Sequence, residues 1–292
     1  MKLLHCGGTC HHKNITAIQL MTSALGIEYV NTNDEKVFGD RWDFVFIPSN
    51  YIPPEKFPNA KLILYGPQNF VFPDGIWTSL NYKNDPRIYY LCLSKWIENV
   101  FNEVANFKEN IKMLPYPFAV DVERFKPSPE KVYERDCLIY VKRRKNHEVE
   151  RVKSICETRG LSYSVITYGS YKEEDLIHLS NTSRFGILLD CHESQGFAVQ
   201  ELMALNLPLV VWDAVDMFVE GYHEYRGRYK LKSTSVTSWD KSCGIIVDET
   251  SVESGIQHMV EHYRDYAPRD LVVRELSPAA CMQRWVDLLG EN

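Results

Sequence analysis

The chain has 292 residues, enough for one large domain or two modest ones. With 45% hydrophobic and 25% charged residues it reads as an ordinary globular protein, which excludes a disordered chain. A formal net charge of −6 argues against a dedicated nucleic-acid binder, whose domain would carry a basic surface.

From the start, short apolar runs alternate with helical patterns. KLLHC is predicted as a strand, and Asn14 as the cap of a helix ITAIQLMTSAL that stops at Gly26. Strands are expected at IEYVN, WDFVFIP, KLILYG and RIYYLCLS, and a helix over SKWIENVFNEVANF. Gly66 to Pro86 is rich in Pro, Gly, Asn and Asp and reads as a long functional loop. In MLPYPFAVDVERFKPSPEK, Pro115, Pro117, Pro127 and Pro129 forbid a continuous helix, so residues 116–130 are taken as a linker.

Beyond the linker the alternation restarts. Strands are predicted at DCLIYV, YSVITYG, FGILLDC, LPLVVWD and CGIIVD. Helices are predicted around EVERVKSICETRG, from Glu173, from Gly196, and over VESGIQHMVEHYRDY. Ser277 with Pro278 opens a last helix. Strand–helix alternation in both halves predicts α/β domains with parallel sheets covered on both faces. The expected domains are 1–115, 131–276 and a C-terminal helix 277–292, with ligands in the crevice at the carboxyl ends of the strands.

No run of residues is long and apolar enough to span a membrane, and the start MKLLHCGGTCHHKN is too short in apolar residues for a signal peptide. The chain is therefore expected to be cytoplasmic, with at most a peripheral membrane contact. Its eight cysteines lie mostly singly within apolar segments and read as reduced, buried thiols. Cys6, Cys10, His11 and His12 form one tight group, but no second pair at metal-ligand spacing accompanies it. A glycine-containing loop after the first strand is the simpler reading. Gly7 and Gly8 there suit a place where backbone and ligand approach closely.

The segment HESQGFAVQELMALNLPLVVWD carries two glutamates eight positions apart, Glu193 and Glu201, the second inside an otherwise apolar run. A carboxylate in such a place faces solvent, pairs with a base or meets a ligand. If the helix starts at Gly196, its exposed amides offer an anion site. Eight residues of helix rise about 12 Å, comparable to the reach from a sugar across a diphosphate to a ribose. The basic run KRRK follows the buried strand CLIYV, a second place for phosphate.

These features resemble the group 1, family 4-like retaining glycosyltransferases. ESQGFAVQE followed by LMALNLPLVV is similar to their paired-glutamate signature, with Asn206 where the family usually has glycine. LPYPFAVDVERFKP resembles their interdomain segment, and CLIYVKRRK the first strand of their second domain. The resemblance implies the GT-B fold: two doubly wound Rossmann-like domains facing each other across a cleft. It implies a retaining, metal-independent transferase that moves a sugar from a nucleotide-sugar donor to the hydroxyl of a glycan, protein or small-molecule acceptor, with no cofactor. Glu193 and Arg143 are then catalytic, at the donor sugar and the departing diphosphate. Gly8, Lys145, Ser194, Gln195, Gly196, Phe197, Ala198 and Glu201 bind the donor, Glu201 at the ribose. Arg144 is expected to be an ordinary surface residue.

The first half is shorter than the family's usual acceptor domain, and WDFVFIPSNYIPP lacks the histidine that commonly follows its fourth strand. His11 or His12 is the substitute candidate. The alternative reading is a non-catalytic sugar-nucleotide or glycan-binding protein of the same fold. A third is a transferase or epimerase of the same fold acting on another acceptor, including a nucleobase in DNA, against which the charge speaks.

Overall fold

A computed structural model of the protein describes residues 1–8, 10–67, 81–105, 107–130, 132–214 and 232–291. The chain divides into two compact units, Met1–Ala119 with Leu276–Asn292, and Val120–Glu275. Among the described residues no helix is long and apolar enough to cross a membrane.

The first unit is built on a six-stranded parallel sheet in the order β2-β1-β3-β4-β5-β6. Its strands are β1 (Lys2–His5), β2 (Glu28–Asn31), β3 (Trp42–Ile47), β4 (Ala60–Tyr65), β5 (Ile88–Cys92) and β6 (Lys112–Pro115). The central strands are continuous apolar runs because both faces are covered; Phe44, Val45, Phe46 and Ile47 are all fully buried. Helices α1 (His12–Ala24) and α2 (Lys95–Ala105) connect strands, and α8 (Pro278–Glu291) returns to this unit. There Trp285 lies 5.9 Å from Phe46, 6.3 Å from Phe44 and 6.4 Å from Phe118, ring centre to ring centre.

Two local expectations differ from the structure here. Helix α1 starts three residues early, because the His11 ring caps it by accepting the Lys13 amide at 3.3 Å, while Asn14 is buried. β6 lies within the segment read as proline-broken. Its Pro115 closes a short edge strand, the position where a missing backbone donor is tolerated. The long-loop reading of Gly66–Pro86 falls mostly outside the described residues.

In the second unit five parallel strands run in the order β11-β10-β9-β7-β8. They are β7 (Arg135–Val141), β8 (Tyr163–Thr167), β9 (Ser183–Leu189), β10 (Leu209–Trp212) and β11 (Gly244–Val247). The helices are α3 (Asn146–Thr158), α4 (Glu173–Asn181), α5 (Phe197–Ala204), α6 (Val252–His262) and α7 (Pro268–Leu271). Cys137, Ile139, Phe185, Ile187, Val210 and Trp212 from the sheet pack with Val152, Cys156, Ile256 and Met259 from α3 and α6. The strand order reverses between β7 and β9, so the loops leaving these two strands diverge and leave a crevice at their carboxyl ends.

Candidate functional site

That crevice is where the sequence candidates gather. Leaving β7, the chain passes Lys142, Arg143 and Arg144, and Lys145 caps α3. Leaving β9, it passes Asp190 to Gln195 and enters α5 through Gly196. Gly196 adopts φ 79°, a left-handed conformation that glycine takes without penalty. A side chain there would also sit 3.4 Å from the Glu193 Cβ. The first-turn amides of α5 are thereby directed outward, as helix N-termini direct them toward anions.

Of the residues assigned to the donor, Glu193, Ser194, Phe197 and Ala198 are half-buried, whereas Gln195, Gly196 and Glu201 are buried. Glu201 sits within α5 at 3% exposure. The separation of the two glutamates is only half helical, because α5 begins at Phe197. Gln195 is structural as well as local to the site: its carbonyl accepts the Gln200 amide group at 3.0 Å and the Thr237 hydroxyl, and its own amide bonds Gln200 at 3.1 Å. Gly8 belongs to the first unit. Its φ of 95° and that of Gly7, 78°, allow the turn to pack on Asn50, whose side-chain nitrogen would lie 2.7 Å from a Cβ at Gly8.

The basic turn is arranged differently from the sequence expectation. Arg143 is exposed and has φ 50°, rare for a residue with a side chain. Arg144, expected to be an ordinary surface residue, is 9% exposed at its side chain. It donates to the Asp190 carbonyl at 2.9 Å, pairs with Glu148 at 2.9 Å and lies over Trp212, 5.2 Å from the ring centre. The left-handed residue 143 turns the chain so that 144, rather than 143, points back into the protein. Lys145 is exposed and gives its backbone amide to Glu148 at 3.3 Å.

Four contributors were not read from the sequence. Lys142 bonds Glu193 directly, both side chains being 13% exposed. Asp190, at the end of β9, is fully buried. Burial, with the nearby Glu193 charge, pushes its carboxyl well above the usual carboxylate range. Thr234 fixes the loop from the other side, accepting the Glu193 amide at 3.0 Å on its carbonyl. Asp213, just beyond β10, anchors that support by accepting the Ser235 amide at 2.7 Å and the Thr234 hydroxyl at 2.9 Å. The apolar strand LPLVVWD did end in an acid, which was the available signal for Asp213. Lys142 opens the basic run KRRK, but it lies 51 residues from Glu193 along the chain and nothing there showed the pairing; Thr234, 41 residues from Glu193, carried no signal.

Two doubly wound parallel sheets, the second with its crevice lined by charged loops, define the α/β architecture called GT-B. Solved structures with this arrangement include AviGT4, a glycosyltransferase involved in avilamycin A biosynthesis, which is 12% identical with a TM-score of 0.58. That match covers 99% of this chain and 97% of the other. Sucrose-phosphate synthase from Thermosynechococcus elongatus is 10% identical with a TM-score of 0.52, over 99% and 98% of the two chains. The catalytic domain of starch synthase IV from Arabidopsis thaliana, bound to ADP and acarbose, is 8% identical with a TM-score of 0.51, over 97% and 78%. The chain matches no protein-family model and no curated protein.

Proposed function

We propose that the protein is a glycosyltransferase that moves a sugar from a nucleotide-sugar donor to an acceptor hydroxyl with retention at the anomeric carbon. The observation that carries this reading is the placement of Glu193 and Glu201 on either side of the Gly196 turn, at the point where the second sheet reverses order. Two of the similar structures support it: AviGT4 is a glycosyltransferase, and the starch synthase domain is bound to ADP and acarbose. In this reading the α5 amides and Arg143 face the diphosphate, where negative charge grows as the glycosidic bond breaks. Glu201 takes the ribose, and Glu193 the donor sugar. The fixed cations and helix amides supply the charge compensation that a divalent metal gives elsewhere.

A panel of nucleotide sugars tested by thermal shift, then by transfer to glycan acceptors, checks the proposal. A donor at about 100 times its Kd stabilises by about 2.7 kcal/mol. Glu201→Gln is expected to raise the donor KM with little change in kcat, because the ribose contact is similar in ground and transition states. Glu193→Gln should lower kcat as well, and activity should persist in EDTA. Donor binding without transfer or hydrolysis would establish the non-catalytic alternative. Unchanged affinity and turnover in Glu193→Gln would remove the assignment of the site.

A further inference from the structure

Lys142 and Asp190 are partners across the ladder that joins β7 to β9. The Lys142 amide donates to the Leu189 carbonyl at 2.9 Å, and its carbonyl accepts the Cys191 amide at 3.1 Å. Partner residues in a parallel ladder place their side chains side by side on one face. Asp190 is 0% exposed there, and neither carboxyl oxygen accepts a hydrogen bond of good geometry. The Lys142 ammonium bonds Glu193 and lies 4.5 Å from the centre of the Tyr168 ring. One ammonium and two carboxyl groups thus share a space from which most water is excluded. Two buried anions beside one cation would leave a net charge in a poorly polarisable interior, and retaining one proton costs less. Asp190, the more deeply buried of the two, is the group that keeps it.

We propose that Lys142, Asp190 and Glu193 act as one charge unit: Asp190 remains a neutral carboxylic acid, while Lys142 pairs with Glu193 and orients it toward the ligand. Lys142 and Asp190 are positioning residues that act through Glu193. Burial opposes the Lys142 charge, and the Glu193 carboxylate beside it outweighs that, so its value rises. The other groups facing this cluster are Tyr140 with Tyr171 beside it, Cys191, Arg143 and His192. Burial raises the Tyr140 hydroxyl and pushes the Cys191 thiol up to about 12, so neither titrates between pH 4 and 8.

The charge unit stands on the geometry alone, whereas its effect on donor binding rests on the transferase reading, and two measurements on the full chain separate them. The first is urea unfolding of wild type and Asp190→Asn from pH 4 to 8. The folded carboxyl holds its proton above the value at which the unfolded one releases it, so wild type loses stability as pH rises. Its unfolding constant is expected to climb about tenfold per pH unit relative to Asp190→Asn. Parallel curves overturn the proposal.

The second is calorimetric binding of UDP-glucose and ADP-glucose from pH 4 to 8. Lys142→Met should weaken binding, and Lys142→Arg, which keeps the charge, should restore it. An equal loss in both variants would show that Lys142 merely packs, and would overturn its part. If neither nucleotide sugar binds any variant while the unfolding curves diverge, the charge unit holds and the donor reading is what fails. Should Lys142→Met not fold, Asp190→Asn, which keeps shape and size, still decides.

Discussion

At residue 143 the backbone has φ 50°, in a region that disfavours side chains by roughly 1–2 kcal/mol. Such a conformation persists where neighbours impose it, and here Lys142 is locked in the ladder while Lys145 caps α3. Arg143→Gly is therefore expected to raise stability by about 1 kcal/mol and to lower kcat by about a hundredfold, the scale of losing one charge-stabilising donor. A melting curve and an initial-rate assay on the same preparation test this; a stabilised and fully active variant would remove Arg143 from the site. Arg144→Ala should instead destabilise by about 1–3 kcal/mol, because it leaves the buried Asp190 carbonyl unpaired and removes the cation beside Glu148. The sequence showed that a basic run follows a buried strand, but the order of roles inside it depends on one dihedral angle that the letters do not encode. Asn206 is the converse case. It has φ 56° where the resembled family usually has glycine, and asparagine is among the few residues that visit this region readily. Its side chain also accepts the Arg269 amide at 3.2 Å, which a glycine does not offer.

The strands were legible because a parallel strand covered on both faces is apolar over most of its length, as in the FVFI of β3 and the FGILL of β9. β6 was not, since four residues ending in proline at a sheet edge leave no periodic signal. The glutamate pair was legible as a motif, while its coupling to Lys142 arises only when β7 and β9 pair. Helix α8 illustrates what an element contributes beyond its own turns. Its Trp285 is 1% exposed among Phe44, Phe46 and Phe118, and α8 belongs to the first unit although it follows the second in the chain. Trp285→Ala is expected to cost about 3–5 kcal/mol, the range for emptying a large aromatic site. The loss should appear as early exchange of amides in β1 and β3 with those of β7 and β9 retained. Uniform loss across both sheets would contradict the assignment of α8 to the first unit.

For the molecule as a whole, acid is expected to act first through the N-terminal unit. His5 is 1% exposed at the end of β1, bonded through Nδ1 to the Tyr29 hydroxyl at 2.7 Å, and burial pushes its ring down to about 4. The unfolded ring takes a proton near pH 6.5. His5 therefore supports stability above that value, and the support is lost as pH falls from 6.5 toward 4. Relative to wild type, His5→Gln should gain stability as pH falls from 6.5 to 4, measured by urea unfolding; parallel curves would exclude this role for His5. The return of α8 to the first unit also sets an order in time. During synthesis the second unit is one unbroken stretch and can fold once it has emerged, whereas the sheet of the first unit is made early and its α8 much later. At about 5–20 residues per second the interval is on the order of ten to thirty seconds. Throughout it the nascent sheet keeps uncovered the face that Trp285 will fill, which makes the first half the natural client of a holding chaperone and the second half the one that does not need it.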